Sequence, residues 1–154
     1  MSQVGYRSCK EICVSRSLDI MQMFLVFWQV MLQLSSITPR SVIIDHTSSH
    51  PVLTKQIYDA AREKDCWAVD APVSGGDIGA RDGKLAILAG GDETVVKWLT
   101  PLLSLIGKLN YMGDAGCGQS CKIANQITVG GSLLGLSEGL VFAEAAGLDK
   151  ARWL

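Results

Sequence analysis

The sequence is poor in the features that mark several classes of protein. Only 19% of its 154 residues are charged, its net charge at pH 7 is −1, and it contains two histidines and no basic run. Nucleic-acid-binding chains carry a basic patch, so we expect no nucleic-acid partner. The five cysteines form two Cys-x3-Cys pairs, Cys9/Cys13 and Cys117/Cys121, and a single Cys66. Structural zinc sites favour closer pairs, so we also expect no metal site.

The most apolar run of the sequence is too short to span a membrane. Residues 20–34 are the most apolar segment, but a spanning helix needs about 20 apolar residues, and three glutamines interrupt this one. Glu11 and Asp19 precede it and no Ala-x-Ala site lies near its end, which argues against a signal peptide. We therefore expect no membrane span and interpret the segment as a buried or partner-covered helix. The odd cysteine count indicates reduced thiols in an intracellular compartment.

The apolar residues, 48% of the chain, are enough for a packed core, and the length suits one domain or parts of two. From Ser41 onward, short β-branched runs alternate with amphipathic helical patterns. We predict strands at 41–45, 66–70, 84–90 and 108–113, and helices at 52–64, 92–107 and 118–146, with a glycine-rich loop at 71–83. This alternation predicts an α/β fold with a mainly parallel sheet.

Three loops follow predicted strands, after Asp45, Asp70 and Met112. In open parallel sheets, ligands bind beyond the carboxyl ends of the strands, so we expect these loops to converge on a site. We interpret Asp70 itself as a solvated loop residue, like Asp77 and Asp82, rather than as an acid–base catalyst.

Polar groups in the first two loops suit a polar or anionic ligand. Thr47 and Ser48 offer hydroxyl groups, although Ser48 or Ser49 is equally well placed to cap the helix that follows. Residues 74–76, Ser-Gly-Gly, offer consecutive backbone N–H groups and one hydroxyl, a donor set that suits a carboxylate. The alternative for this segment is a plain turn after a strand.

Residues 113–126, GDAGCGQSCKIANQ, approach two phosphate-binding patterns without matching either. Cys121 replaces the third glycine of a dinucleotide fingerprint, and Gln119 stands where a P-loop has lysine. We interpret Gly116 and Gly118 as positions at which a ligand approaches the backbone closely.

The end of the same segment places three polar residues on one helical face. Lys122, Asn125 and Gln126 stand at i, i+3 and i+4. At the start of an apolar helix, partial desolvation would suit the lysine to proton transfer. The two amides would then hydrogen-bond a bound oxygen. The alternative is an exposed lysine with ordinary polar neighbours.

Several segments together resemble one family. They are DAPVSGG, KLAILAGGDE, GQSCKIANQ and GLSEGLVFAEAAGLD, and in order and spacing they resemble the β-hydroxyacid dehydrogenases, especially the 3-hydroxyisobutyrate dehydrogenase-like proteins and the glyoxylate/succinic semialdehyde reductases. The resemblance runs from about Pro39 to Lys150. It implies part of a Rossmann-like NAD(P)-binding domain that leads into a long interdomain helix. It also implies hydride transfer between NADP or NAD and a small 3-hydroxy acid, or the matching aldehyde or oxo acid.

The resemblance assigns roles to individual residues. Lys122 is the expected general acid/base. The expected substrate-binding residues are Ser74, Gly75, Gly76, Asn125 and Gln126. The expected cofactor-binding residues are Thr47 and Ser48. Further expectations are a small carboxylate-bearing substrate, a homo-oligomer or association with a full-length relative, and a mitochondrial or cytoplasmic location.

The sequence also departs from the family pattern. The opening strand and Gly-x-Gly-x-x-Gly loop of the family are not found, and residues 9–37 resemble no family segment. We therefore divide the chain into a divergent leader (1–38), the C-terminal part of a Rossmann domain (39–115) and the start of a helical domain (116–154), truncated at both ends. The glycine loop supplies much of the phosphate binding, so we expect weak dinucleotide binding. The alternative is a non-catalytic fragment that pairs with a full-length relative through its long apolar helix.

Overall fold

The computed structural model describes residues 12–15 and 36–153. Six strands alternate with five helices along this part of the chain. The strands are β1 (Ile12–Ser15), β2 (Val42–Asp45), β3 (Trp67–Asp70), β4 (Val73–Ser74), β5 (Leu85–Gly90) and β6 (Gly107–Gly113). The helices are α1 (Pro51–Glu63), α2 (Gly76–Arg81), α3 (Glu93–Leu103), α4 (Cys117–Ala145) and α5 (Lys150–Trp153). The α/β prediction is confirmed, whereas the helix expected at residues 20–34 lies outside the described residues.

The strands form one mixed sheet. Strands β1, β2 and β3 are parallel neighbours, and β5 is parallel to β6. Along its other edge β5 is antiparallel to both β3 and β4. The chain keeps one direction from Asp70 to Ser74 and reverses in residues 75–84, so β5 returns beside residues 70–74 and forms the antiparallel pairs. In the parallel pair of β2 and β3, Asp45 lies directly beside Asp70.

The core occupies both faces of this sheet, as the alternation of side chains along a strand requires. On one face, Ile44, Val69 and Ile87 belong to a buried cluster that includes residues of α3. On the other, Ile43 belongs to a second cluster that includes Ile57 of α1. Strands β2 and β3 are therefore buried on both sides, which accounts for their continuous apolar sequence.

The N-terminal caps of two helices differ from the simplest prediction. His50, rather than Ser48 or Ser49, caps α1, because its Nδ1 accepts a hydrogen bond from the backbone N–H of Val52 at 3.2 Å. Ser49 is buried instead and donates its N–H elsewhere. Asp92 occupies the expected cap position of α3 but makes no side-chain cap bond.

The described chain divides into two compact units, residues 1–122 and 123–154. In the second unit, α4 is followed by a turn at Gly147, whose φ is +73°, and by α5. The ring of Trp153 in α5 lies close to Gly139 of α4, where a Cβ atom would come within 2.7 Å of it. Gly131, Gly135 and Gly139 follow one another at four-residue spacing along α4, but a Cβ atom added at Gly131 or Gly135 would have no described neighbour within 4 Å.

Helix α4 is long and apolar. By length and composition it is the one helix in the described part of the chain that could cross a membrane, a test that core helices of soluble proteins also pass. Large apolar side chains are exposed along it, among them Ile127, Leu134 and Phe142. This exposure is consistent with the expectation that the helix needs a partner.

Candidate functional site

Asp70 ends β3 and anchors the beginning of α4. Its side chain is only 2% exposed, so the prediction of a solvated loop carboxylate is wrong. Its Oδ1 accepts the backbone N–H of Gly116 and its Oδ2 that of Gln119, both at 2.9 Å. A carboxylate suits this position because the N–H groups at the start of a helix have no partner within the helix. Burial raises the pKa of Asp70, and these N–H donors oppose the rise.

Two glycines allow α4 to approach the sheet so closely. A Cβ atom on Gly118 would come within 2.8 Å of the backbone oxygen of Asp70 and still nearer to that of Leu88. A Cβ atom on Gly90 would lie 2.6 Å from Oδ1 of Asp70. The loop amides are therefore occupied by Asp70, and Gly118 serves the packing of helix on strand. The interpretation of Gly118 as a point of ligand approach is wrong.

Gln119 joins α4 to the loop that follows β2. Its side chain is fully buried. Its Oε1 accepts the backbone N–H of Ser49 at 3.0 Å, and its Nε2 donates to the backbone oxygen of Thr47 at 2.7 Å. In the sequence, Gln119 was noted only because it stands where a P-loop has lysine, so this link was not predicted. Its partners are main-chain groups about 70 residues away, and no local pattern points to them.

Asp45 organises the same loop from the strand side. One of its carboxylate oxygens accepts the backbone N–H of Thr47 at 2.9 Å, and the other lies 3.5 Å from the hydroxyl of Ser49. Burial raises the pKa of Asp45, and the neighbouring charge of Asp70 adds to the rise, whereas the hydrogen bonds from Thr47 oppose it. The loop is thus fixed at both its peptide groups and its side chains.

The two predicted cofactor-binding residues differ in exposure. Thr47 is buried, with its backbone N–H and oxygen both engaged in the contacts described above. Ser48 is exposed at the carboxyl end of β2, on a loop that is held on either side. A hydroxyl in this position is available to a ligand at the sheet edge where dinucleotides bind in open α/β sheets.

The predicted carboxylate cradle begins at the end of β4. Ser74 is half-buried and pairs with Ala86 of β5. Gly75 and Gly76 have φ values of +136° and +62°, which a residue with a Cβ atom rarely adopts. Gly75 also starts α2, since its backbone oxygen accepts the N–H of Gly79 at 2.9 Å. The turn therefore requires glycine for its conformation, which is compatible with a carboxylate cradle and with a plain helix start.

Helix α4 and the segment before β4 both contact the backbone of Leu88, and we call this point of contact the junction. Lys122 and Ser74 each lie a short way along the chain from it. Gly118 of α4 lies against the backbone oxygen of Leu88, and the N–H of Leu88 donates to the backbone oxygen of Pro72 at 2.9 Å. Lys122 follows Gly118 by one helical turn and Ser74 follows Pro72 by two extended residues, so each lies about 6 Å along the chain from this junction. Lys122 is half-buried there.

The two amides belong to the second compact unit. Asn125 and Gln126 continue α4 after Lys122, with Asn125 half-buried and Gln126 exposed. Their spacing keeps them on the helical face of Lys122, as the sequence predicts. Their role as substrate-binding residues stays a prediction.

Two known protein families match this chain. Residues 26–123 match the NAD binding domain of 6-phosphogluconate dehydrogenase. Residues 116–154 match a domain described as NAD-binding of NADP-dependent 3-hydroxyisobutyrate dehydrogenase. The first match begins before Pro39, where the recognisable motifs of the sequence start. The second takes in all of α4, which places the membrane-length helix in a domain described as NAD-binding.

Curated relatives include dehydrogenases and reductases of small hydroxy acids. The mitochondrial 3-hydroxyisobutyrate dehydrogenase-like protein 2 of Arabidopsis thaliana is 60% identical over 121 residues, which cover 79% of this chain and 40% of that protein. The 2-hydroxy-3-oxopropionate reductase of Escherichia coli (strain K12) is 46% identical over 111 residues, covering 71% of this chain and 38% of that protein. This chain therefore spans about 40% of the length of these relatives.

Solved structures share the fold. The 3-hydroxyisobutyrate dehydrogenase of Mycobacterium tuberculosis with L-serine matches with a TM-score of 0.79 and 27% identity, over 90% of this chain and 47% of that one. An imine reductase from Myxococcus stipitatus in complex with NADP+ matches with a TM-score of 0.76 and 19% identity, over 92% of this chain and 49% of that one. The second likeness is one of fold alone. Together they confirm a Rossmann-like architecture.

Proposed function

This chain belongs to the NAD-binding family of 6-phosphogluconate dehydrogenase and the β-hydroxyacid dehydrogenases, and we propose that it functions as an NAD(P)-dependent oxidoreductase of small 3-hydroxy acids or the matching aldehydes and oxo acids. The observation that carries this proposal is the junction at Leu88, from which Lys122 and Ser74 extend by similar lengths. A proton-transfer group on α4 and a carboxylate-binding turn after β4 suit a substrate with a hydroxyl carbon and a carboxylate.

The chemistry divides between the cofactor and the chain. The nicotinamide supplies or accepts the hydride, which is chemistry that no side chain provides. Lys122 holds the proton that moves with it, accepting it from the substrate hydroxyl in oxidation and donating it to the carbonyl oxygen in reduction. Residues 74–76 bind the carboxylate through backbone N–H groups and the Ser74 hydroxyl, which orients the reacting carbon toward Lys122. Asn125 and Gln126 contribute amides by family resemblance.

The loop after β2 fits one edge of a dinucleotide site. Ser48 presents an exposed hydroxyl at the carboxyl end of a parallel strand, and the backbone on both sides of it is fixed by Asp45 and Gln119. NADP or NAD would be held here by Thr47 and Ser48. The described residues supply only this edge, so we expect the chain alone to bind NADPH more weakly than micromolar, and calorimetry that finds micromolar affinity would contradict this.

The carboxylate cradle has a direct test. NMR spectra of the chain with added 3-hydroxyisobutyrate should show shifts of the Gly75 and Gly76 amides. The neutral amide of the same compound serves as the control ligand and should leave both signals unmoved. Lys122→Met should preserve the shifts while abolishing any oxidation of the hydroxy acid with NAD or NADP. Equal shifts with both ligands would remove the carboxylate-binding role.

The exposed apolar side chains of α4 favour a second candidate function. A non-catalytic chain would use them to associate with a full-length relative. Co-expression of a tagged chain with the full-length 3-hydroxyisobutyrate dehydrogenase-like relative, followed by affinity capture, tests this. Capture without any oxidoreductase activity supports the second function, whereas failure to capture argues against it.

We place the protein in mitochondria. The support comes from Arabidopsis thaliana relatives whose names include that compartment and which are 54% to 60% identical to this chain over 121 residues. A fluorescent fusion at the C-terminus, imaged beside mitochondrial and cytosolic markers, distinguishes the two compartments expected from the sequence.

A further inference from the structure

We propose that Gln119 is a positioning residue, which fixes the loop of Thr47 and Ser48 to the helix that carries Lys122. In this way the group that contacts the cofactor and the group that transfers the proton keep a constant separation. The inference rests on the proposed function for the roles of Lys122 and of the loop, but the link itself is a matter of contacts within one compact unit.

The side chain of Gln119 uses both ends of its amide on the same short loop. Oε1 receives the N–H of Ser49 at 3.0 Å and Nε2 donates to the oxygen of Thr47 at 2.7 Å. The exposed Ser48 lies between these two bonded residues. An amide buried without partners costs about 1 to 3 kcal/mol, so both bonds are needed to keep Gln119 in this position.

Each end of the link is itself anchored to the sheet. On the helix side, the backbone N–H of Gln119 donates to Asp70 at the end of β3. On the loop side, the backbone N–H of Thr47 donates to Asp45 at the end of β2. Asp45 and Asp70 are register partners in adjacent parallel strands. The side chain of Gln119 therefore closes a ring of contacts that runs through both strand ends, the loop and the first turn of α4.

The two hydrogen bonds of Gln119 do more than provide partners for a buried amide. Any nearby donor and acceptor would satisfy a buried glutamine. Instead, both partners of Gln119 flank the one exposed hydroxyl of the predicted cofactor loop. Lys122 follows Gln119 on the same helix, with a rise of about 1.5 Å per residue. A shift of the loop relative to α4 would therefore change the separation between Ser48 and Lys122.

The link is tested first without any ligand. Hydrogen exchange of the Ser49 amide should accelerate about tenfold or more in Gln119→Met, because its acceptor is removed. The amides of Ile87 and Leu88 in the central strand β5 should keep their rates. Gln56→Met, which makes the same change at an exposed position of α1, is the matched control and should alter neither set.

A shorter side chain provides a second variant where Gln119→Met does not fold. Gln119→Asn keeps the amide but lacks the length to reach both Ser49 and Thr47, so it should accelerate Ser49 exchange in the same selective way. An unchanged Ser49 rate in either variant overturns the link. A uniform acceleration of all amides also overturns it, because the role would then be one of global stability alone.

The cofactor role of the loop has a separate readout. NADPH at millimolar concentration should shift the Ser48 amide in the unmutated chain, and the apparent Kd should rise about tenfold in Gln119→Asn but not in Gln56→Met. Selective Ser49 exchange with no NADPH response in the unmutated chain would show that the loop does not contact the cofactor. In that case the contact between Gln119 and the loop would be established, but its role in positioning the cofactor would be disproved together with the proposed function.

Discussion

At the scale of single residues, the candidate site depends on polar groups that are buried and matched. Asp45, Asp70 and Gln119 are each at least 95% buried, and each binds backbone N–H or oxygen groups of a loop or helix start. A buried polar group without a partner destabilises the fold, whereas a matched one fixes its partners in a single arrangement. These three residues therefore determine where the exposed Ser48 and the half-buried Lys122 lie.

Glycine at position 118 should be required for the approach of α4 to the sheet. Gly118→Ala forces a Cβ atom within 2.8 Å of the backbone oxygen of Asp70. We expect a loss of about 2 kcal/mol or more in the free energy of unfolding, since neither strand nor helix backbone can move without breaking contacts. Urea denaturation followed by circular dichroism measures it.

Gly130→Ala is the matched control for this change. Gly130 lies on the same helix and no described atom lies within 4 Å of its added Cβ position. Alanine there should stabilise the helix by about 1 kcal/mol. An equal loss of stability in the two variants would show that the loss in Gly118→Ala does not come from close packing against the sheet.

The two buried aspartates should make stability depend on pH. Burial raises the folded-state pKa of Asp45 above its ordinary value of 3.8, so the fold binds this proton more tightly than the unfolded chain does. The resulting stabilisation is complete below the unfolded-state pKa and is lost as pH rises through the folded-state pKa. Asp45→Asn cannot titrate and should lose this part of the dependence, so its stability relative to the parent chain should improve as pH rises.

The measurement is a series of urea unfolding curves between about pH 4 and pH 7. Asp59→Asn changes an exposed aspartate of α1 and is the control. If the slope of stability against pH in Asp45→Asn equals that of the parent chain, burial of this carboxylate has no energetic consequence and the interpretation is wrong.

At the scale of elements, the sequence predicts what is local and misses what depends on distant partners. The β-branched run of β2 and the alternating apolar face of α1 were confirmed because each pattern matches the period of its element. The antiparallel course of β5 was not foreseen, since it follows from the reversal of the chain in residues 75–84 rather than from any run of residues. The loop predicted at 71–83 contains the short elements β4 and α2, because glycines at 75 and 76 permit a turn that starts a helix.

One hydrogen bond should link α1 to the N-terminal end of α3. The hydroxyl of Tyr58 donates to Oδ1 of Asp92 at 3.0 Å. Tyr58→Phe leaves this partly buried carboxylate oxygen without its donor, and we expect a loss of about 1 kcal/mol in the free energy of unfolding. The Arg62–Asp92 ion pair is longer, at 3.7 Å, and half-exposed, so Arg62→Gln should cost less than about 0.5 kcal/mol. A larger loss from Arg62→Gln than from Tyr58→Phe would reverse this order.

At the scale of the whole molecule, motifs identified the family where geometry alone could not. The segments around residues 74–76 and Lys122 indicated a β-hydroxyacid dehydrogenase, and the family match of residues 26–123 confirms that relationship. Their roles in catalysis stay predictions. The ring through Asp45, Asp70 and Gln119 could not be predicted from the sequence, because its members lie in three separate segments and bond mainly to backbone groups. Such bonds leave no signature in the choice of neighbouring residues.

The exposed apolar side chains of α4 should drive association of the whole chain. Phe142 is 72% exposed on this helix, and Leu105, outside it, is 73% exposed. Because burial of apolar surface stabilises a complex by about 25 cal/mol per Å², a long helix with many such side chains should self-associate, whereas the short exposed segment of Leu102, Leu105 and Ile106 should not. Size-exclusion chromatography with light scattering should show a species larger than a monomer, shifted toward monomer in Phe142→Ser and unchanged in Leu105→Ser. A monomeric parent chain, or equal shifts in both variants, would mean that α4 is not the surface at which copies of this chain meet.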